Sequence, residues 1–164
     1  MYDLKDQVKG LIAKPVRYKK VGIIKMQMVR ENESLYGKDR IASAEAAADM
    51  AESVFACADR ELVVVMSLSS CLEPLALEIV AIGGVSSCQI DIKNIFKHSI
   101  LNNAKNIICL HNHPSGSATP SKDDKDMTER IRKAGDILDI RLVDHIIIGR
   151  DAYYSFKEQK TLHT

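Results

Sequence analysis

Tryptophan is absent from this 164-residue chain and aromatic residues make up only 5% of it, so a nucleic-acid surface of stacked aromatic rings is not indicated. No apolar run approaches the ~20 residues that span a bilayer. The first residues, MYDLKD, lack the basic and then apolar pattern of a signal peptide. The four cysteines include no C-x-x-C pair, which argues against a disulfide scaffold. These absences predict a cytoplasmic protein with free thiols and no membrane association.

Charge is nearly balanced over the whole chain but unevenly distributed. Residues 1–40 contain ten Lys or Arg against five Asp or Glu, whereas residues 41–164 contain thirteen against seventeen. We predict a basic N-terminal arm with a leading strand over 1–40, followed by one folded domain over 41–164. The arm is interpreted either as a solvated surface or as a weak contact for DNA.

The hydrophobic pattern predicts strand, helix, two strands, helix, strand, helix and two strands. The predicted segments are strand 21–30, helix 43–58, strands 61–68 and 75–82, helix 91–104, strand 106–110, helix 121–138, and strands 140–149 and 153–156. This order is typical of an α/β (α+β mixed) domain, with helices packed on a mixed, largely antiparallel sheet. An open edge of such a sheet allows a homodimer.

Helical periodicity and capping residues refine the three predicted helices. Ser43, Asp91 and Ser121 stand where N-caps are expected. The periodicity also predicts that Ile100, in the second helix, and Leu138, in the third, face the core with their neighbours.

The polar segment after strand 106–110 contains the candidate metal ligands. His111 and His113 are two residues apart on an extended segment, so their rings project to one side. A loop with two prolines and a glycine follows, and the next helix brings Asp124 into its first turn. Two imidazoles and a carboxylate, with a fourth position left to water, are typical of a catalytic rather than a structural zinc site.

The same residues also have plainer interpretations. Ser121 and Asp124 fit an S/T-x-x-D/E capping box, which only satisfies helix N-terminal amides, although capping does not exclude catalysis. Cys109 would share a face with His111, but we interpret it as a buried apolar residue, because a hydrolytic site needs an open coordination position.

The remaining histidines receive no functional assignment from the sequence. For Asp144 and His145, support of a ligand imidazole is the alternative to the favoured interpretation of a strand residue with a satisfied ring. His98 and His163 are predicted to have no functional role.

The spacing H-x-H-x7-S-x2-D over residues 111–124 resembles the JAMM motif of the JAB/MPN+ metallopeptidases. The sequences HNHPSG at 111–116 and DHIIIG at 144–149 are similar to the RadC branch of that superfamily, and the similarity covers roughly residues 40–160. The resemblance implies a cytidine-deaminase-like JAB (MPN) layer domain. It also implies a hydrolase that cleaves peptide or isopeptide amide bonds, with Zn²⁺ bound by His111, His113 and Asp124.

Two further roles are implied by this resemblance. Glu61, at the start of the strand after the first long helix, matches the general base of the family, and Ser121 matches the residue that donates to the oxyanion. Composition alone does not distinguish Glu61 from other glutamates, and an exposed carboxylate at a strand edge is its plainer interpretation.

Two other functions stay open. RadC proteins have carried a DNA-repair label, so a DNA-associated metal-dependent enzyme, including a nuclease, is one alternative. Longer members carry a helix–hairpin–helix segment, but residues 1–40 show no recognisable one. A non-catalytic scaffold is the other alternative, although inactive MPN domains lose ligand residues that this chain keeps.

Overall fold

The computed structural model describes residues 40–56, 58–83 and 90–162. Within these ranges the chain forms three helices and five strands. They are α1 (Ala44–Phe55), β1 (Leu62–Leu68), β2 (Pro74–Ile82), α2 (Ile92–Leu101), β3 (Asn106–Asn112), α3 (Lys122–Leu138), β4 (Arg141–Ile148) and β5 (Tyr153–Ser155). The predicted strand 21–30 and residues 1–39 of the arm lie outside the described residues, and the domain boundary at 40/41 stays a prediction.

All three helices begin at the caps that the sequence predicts. The Ser43 side chain accepts a hydrogen bond from the Ala46 amide, and Asp91 caps α2 in the same way. Ser121 begins α3, where its hydroxyl accepts from the backbone amide of the third helical residue. Helices α1 and α2 each end three residues before their predicted ends, at Phe55 and Leu101.

The strands form one mixed sheet in the order β2-β1-β3-β4-β5. Neighbours pair antiparallel except β3 and β4, which are parallel and are joined through α3. A parallel pair requires such a crossover, which brings the chain back to the starting end of the sheet. The predicted α/β class with a mixed, largely antiparallel sheet is confirmed.

Helices cover both faces of the sheet, and each face has its own core. On one face, α1 packs through Ala47 and Ala51 against even-numbered strand residues such as Leu110. On the other face, α2 and α3 pack through Phe96 and Ile131. Each large apolar side chain that is fully buried stabilises the fold by about 1.5–3 kcal/mol.

The predicted burial of two apolar residues is wrong. Ile100 is 50% exposed because α2 turns its buried face, which includes Ile95 and Ser99, away from that side chain. Leu138 is 42% exposed. It is the last residue of α3, and the chain turns back directly after it at Asp139, which has a φ of +57°.

Strand β3 lies at the centre of the sheet, and its carboxyl end carries polar residues. All seven of its residues are buried, including His111 and Asn112 at its carboxyl end. The crossover brings the N-terminus of α3 to that same end, which is where α/β sheets commonly bind ligands. No helix in the described part of the chain is both long and apolar enough to cross a membrane.

Candidate metal centre

Three polar side chains converge between the end of β3 and the start of α3. His111 Nε2 lies 3.0 Å from His113 Nε2 and 3.1 Å from Asp124 Oδ1. His113 Nε2 lies 3.5 Å from the other carboxylate oxygen, Oδ2. The structure therefore brings together the three residues that the sequence proposed as ligands, as a group with the spacing to hold one metal ion.

The two carboxylate oxygens of Asp124 have different surroundings. Oδ2 accepts hydrogen bonds from the Ser121 amide at 2.7 Å and from the Ser121 hydroxyl at 2.6 Å, which completes the capping box. Oδ1 is buried and accepts no hydrogen bond from the described residues. Capping thus uses Oδ2 and leaves Oδ1 free of hydrogen bonds, 3.1 Å from Nε2 of His111.

The Asp124 carboxyl is charged in the folded protein. Burial by itself would raise its pKa, but a His111 ring protonated at Nε2 and the hydrogen bonds from Ser121 outweigh that effect and hold the pKa well below its ordinary value. The site therefore presents an anionic oxygen in a desolvated position, and such a group is costly unless a cation or a donor compensates it.

The tautomer of His113 follows from its other ring nitrogen. Nδ1 lies 2.8 Å from the Ser117 carbonyl oxygen, which can only accept. Nδ1 must carry the proton, so in the neutral ring Nε2 holds a lone pair that faces the site.

His111 makes its second contact inside the core. Its Nδ1 lies 2.9 Å from Nε2 of His145, and Nδ1 of His145 lies 2.6 Å from the Thr128 hydroxyl. Burial lowers the pKa of His145 well below its usual range, so that ring is neutral in the fold. His145 is a strand residue with both ring nitrogens hydrogen-bonded, as the favoured interpretation predicts, and one of its two partners is a proposed ligand, as the alternative requires.

The donor set fits a divalent cation. When both rings are neutral and unprotonated at Nε2, their two nitrogen lone pairs lie 3.0 Å apart, and the Asp124 carboxylate lies 3.1 Å from His111 through Oδ1 and 3.5 Å from His113 through Oδ2. Such contacts are repulsive unless a proton or cation lies between them. Edges of about 3.3 Å are also those of a tetrahedron whose ligands stand 2.0–2.1 Å from a zinc ion.

The loop after β3 holds His113 in place through its backbone. The His113 amide donates to the Ile148 carbonyl at 3.0 Å, and its carbonyl accepts from the Gly116 amide at 2.9 Å. Gly116 has a φ of +84°, and a Cβ there would lie 3.3 Å from Cβ of Arg150. A residue without a side chain is therefore favoured at this turn.

Ser121 and Glu61, the two residues that the resemblance implies, lie at the same end of the sheet. The Ser121 side chain is exposed, and its hydroxyl hydrogen is donated to Asp124 Oδ2. In the β1–β3 pairing Val63 stands opposite His111. Continued two residues beyond this terminal pair, the same register would set Glu61 across from His113 and on the same face. Glu61 is half-buried rather than fully exposed.

Asn112 fastens the start of β1 next to this site. Its side-chain oxygen accepts from the Leu62 amide at 2.8 Å, and its amide group donates to the Arg60 carbonyl at 3.1 Å. These two bonds flank Glu61 on the chain and fix the backbone that carries it. Sequence reasoning missed this role, although the signal was present as the residue between the two histidines.

Cys109 takes no part in the site, as predicted. Its side chain is fully buried, and burial, together with the nearby Asp124 charge, raises its pKa to about 12. The thiol stays protonated and packs in the core. Of the other two histidines, His98 pairs with Glu78 at 2.7 Å, and His163 lies outside the described residues.

The fold and the site together define an α/β domain with a His-His-Asp group that could hold a metal ion at the end of its central strand. The chain belongs to the RadC-like JAB domain family, whose model matches residues 41–161. Family membership and the JAB-type fold predicted from the motif are thereby confirmed. The JAB family is one of metal-dependent hydrolases, and that coarse class is what membership supports.

Proteins named UPF0758 are similar to this chain. The identity is 40% over 104 residues for one from Thermotoga maritima, covering 63% of this chain and 47% of that protein. It is 49% over 79 residues for one from Clostridioides difficile, covering 48% and 34%. It is 44% over 101 residues for one from Carboxydothermus hydrogenoformans, covering 62% and 45%. The matched segments span less than half the length of these relatives.

Proposed function

We propose that this protein is a Zn²⁺-dependent hydrolase that cleaves peptide or isopeptide amide bonds. The proposal rests on the buried Oδ1 of Asp124, which lies 3.1 Å from Nε2 of His111 and has no hydrogen-bond partner among the described residues. Family membership supports a hydrolase, and the resemblance of the H-x-H-x7-S-x2-D motif to metallopeptidases supports an amide substrate.

His111, His113 and Asp124 would hold the ion and leave one position open. A Zn²⁺ ion bound there supplies Lewis acidity, which acidifies water and polarises a substrate carbonyl. The two nitrogen ligands and one oxygen ligand match the donors that catalytic zinc takes.

Glu61 is proposed as the general base. The β1–β3 pairing supports this role, because its register continued two residues beyond the Val63–His111 pair would set Glu61 across from His113. It would take a proton from the attacking water and deliver that proton to the leaving amine. General acid–base catalysis of this kind contributes about 10²–10⁴-fold to a rate.

Ser121 is proposed as the donor to the developing oxyanion. Its hydroxyl hydrogen now points to Asp124 Oδ2, so the role requires the hydrogen to rotate about the Cβ–Oγ bond. The backbone amide of Ser121 would still donate to Oδ2 after that rotation, which keeps the carboxylate in place. Loss of one such oxyanion donor costs about 10²–10³-fold in rate.

The test separates metal binding from catalysis. Purified protein is loaded with zinc, the metal is quantified, and hydrolysis is measured on internally quenched peptides and on a peptide joined through a lysine ε-amide. We expect one zinc per chain and a Glu61→Gln variant that keeps the zinc but loses about 10²–10⁴-fold in kcat/KM.

Glu52→Gln, an exposed position on α1, is the matched control and should leave the rate unchanged. Full activity of Glu61→Gln would overturn the assignment of the base. Absence of bound zinc in the unsubstituted protein, or hydrolysis that survives a chelator, would overturn the proposed function.

A further inference from the structure

We propose that Thr128 and His145 form a hydrogen-bond relay that makes Nε2 of His111 the metal-binding atom, so that His145 is a positioning residue. The histidine relay consists of the Asp124 carbonyl, the Thr128 hydroxyl and the rings of His145 and His111. The inference rests on the proposed function for the identity of the ion. The relay itself is a property of the protein without the ion.

One end of the relay has a fixed direction. The Thr128 hydroxyl oxygen lies 2.7 Å from the Asp124 carbonyl oxygen. Two oxygens at that distance need a hydrogen between them, and only the hydroxyl can supply it. Because Thr128 has a single hydroxyl hydrogen, its oxygen can only accept from its other neighbour, Nδ1 of His145 at 2.6 Å.

The direction of this hydrogen bond determines which nitrogen is protonated on both histidine rings. A His145 ring that donates from Nδ1 is neutral only if its Nε2 accepts. The partner of Nε2 is Nδ1 of His111 at 2.9 Å, which must therefore carry a proton. In the neutral His111 ring the remaining lone pair is on Nε2, the atom that faces Asp124 and His113.

The surroundings of His145 prevent the ring from leaving this arrangement. It is fully buried and lies parallel to the Phe156 ring, with centroids 5.0 Å apart and an angle of 8° between the planes. In the parallel pairing of β3 and β4, His145 stands opposite Cys109, which lies two residues before His111 and on the same face of the sheet. Strand pairing therefore sets the ring within reach of His111.

The relay also joins the two elements that supply ligands. Asp124 provides its side-chain oxygen to the site and its backbone carbonyl to Thr128, one helical turn later on the same face of α3. The other end of the relay is His111 on β3. A change at Thr128 or His145 is therefore expected to alter the position of one ligand relative to another without touching the ion.

The tautomer is measured directly on the protein without metal. With ¹⁵N-labelled histidine, long-range ¹H–¹⁵N spectra identify which ring nitrogen of each of the five histidines is protonated. The relay predicts a protonated Nδ1 on both His111 and His145. A protonated Nε2 on His111 in the native, metal-free protein would overturn the inference, whatever any variant does.

Substitutions then test the consequence for the metal. Thr128→Val removes the hydroxyl with little change of shape, and His145→Leu removes both ring nitrogens. Each should weaken the affinity for Zn²⁺, measured by competition with a chromogenic chelator, by about 10–100-fold. Thr128→Ser and His145→Gln, which keep an acceptor and a donor in place, should restore most of that loss.

Ser99→Ala is the control for simply losing a buried hydroxyl. Ser99 is fully buried and bonds Ser67 at 2.9 Å, outside the metal centre. It should lower stability but leave the zinc affinity unchanged. Folded Thr128→Val and His145→Leu proteins that bind zinc as tightly as the unsubstituted chain would contradict the relay.

The outcome for the proposed function is read separately. An unsubstituted protein that binds one zinc but hydrolyses no amide refutes the hydrolase and leaves the relay standing. A protein with the predicted tautomers but no zinc affinity refutes the assignment of His111 Nε2 as the metal-binding atom.

Discussion

The two histidines of the metal centre reach the same chemical state by different routes. The His111 side chain is 0% exposed and is oriented by a buried ring on β4, whereas the His113 side chain is 13% exposed and is oriented by a loop carbonyl. Both arrangements protonate Nδ1 and leave Nε2 for the site. The orientation of the His111 ring is therefore fixed by core residues, and that of the His113 ring by the loop that turns at Gly116.

Substituting either histidine by alanine should have the largest effect on zinc affinity. The two substitutions should differ in their effect on stability. Both His111→Ala and His113→Ala remove a ligand, so zinc affinity should fall by more than the roughly 100-fold expected for the relay variants. Stability without metal should differ. His111→Ala leaves a buried cavity and an unpaired His145 nitrogen, at a cost of about 2–4 kcal/mol, whereas His113→Ala should cost under about 1 kcal/mol.

Urea unfolding of the two metal-free variants measures that difference. Equal losses of stability at the two positions would contradict the division between a core-fixed and a loop-fixed ligand.

Gly116→Ala perturbs only the loop side and should have a smaller effect. A residue with a side chain is strained at a φ of +84° and approaches Arg150, so we expect a loss of about 1 kcal/mol and a few-fold weaker zinc binding. The spectrum of His111 should be unchanged.

Gly83→Ala is the matched control for that loop variant, because Gly83 has a φ of +119° and a Cβ added there would meet nothing within 4 Å among the described residues. It should lose similar stability and keep full zinc affinity. A Gly116→Ala protein with a changed His111 tautomer would show that the orientation of the His111 ring also depends on this loop.

Acid should lower the free energy of unfolding of the metal-free protein through its buried histidines. Burial lowers the pKa of His145, and also that of His98 despite the nearby Glu78. Below about pH 6.5 these two histidines bind protons in the unfolded chain but stay neutral in the folded one. The free energy of unfolding therefore falls as the pH falls. Each group contributes at most about 1.4 kcal/mol per pH unit.

Urea unfolding between pH 7.5 and 5.5 measures this slope. His145→Leu should make it shallower, and His98→Gln should remove a separate part of it. A His145→Leu variant with the full slope would contradict a neutral, buried His145.

The sequence predicted those parts of the molecule that local patterns determine. The caps at Ser43, Asp91 and Ser121 follow from short-range hydrogen bonding, and the convergence of His111 and Asp124 follows from a motif of fixed spacing. The exposure of Ile100 was missed, because periodicity gives the direction of a helix face but not the extent of the surface that covers it.

The relay could not be predicted because it depends on pairing between distant segments. His145 reaches His111 through the parallel register of β3 and β4, which has an irregularity between Ile107 and Ile108. A single sequence does not specify that register. The spacing of Asp124 and Thr128 was a usable signal, since residues four apart on a helix share a face.

Anomalous X-ray scattering at the zinc edge, from crystals of the zinc-loaded protein, shows which atoms bind the ion. We expect one peak bonded to Nε2 of His111, Nε2 of His113 and Oδ1 of Asp124, with distances of about 2.0–2.2 Å. No peak at this position, or a metal bound through Nδ1 of either histidine, would contradict it.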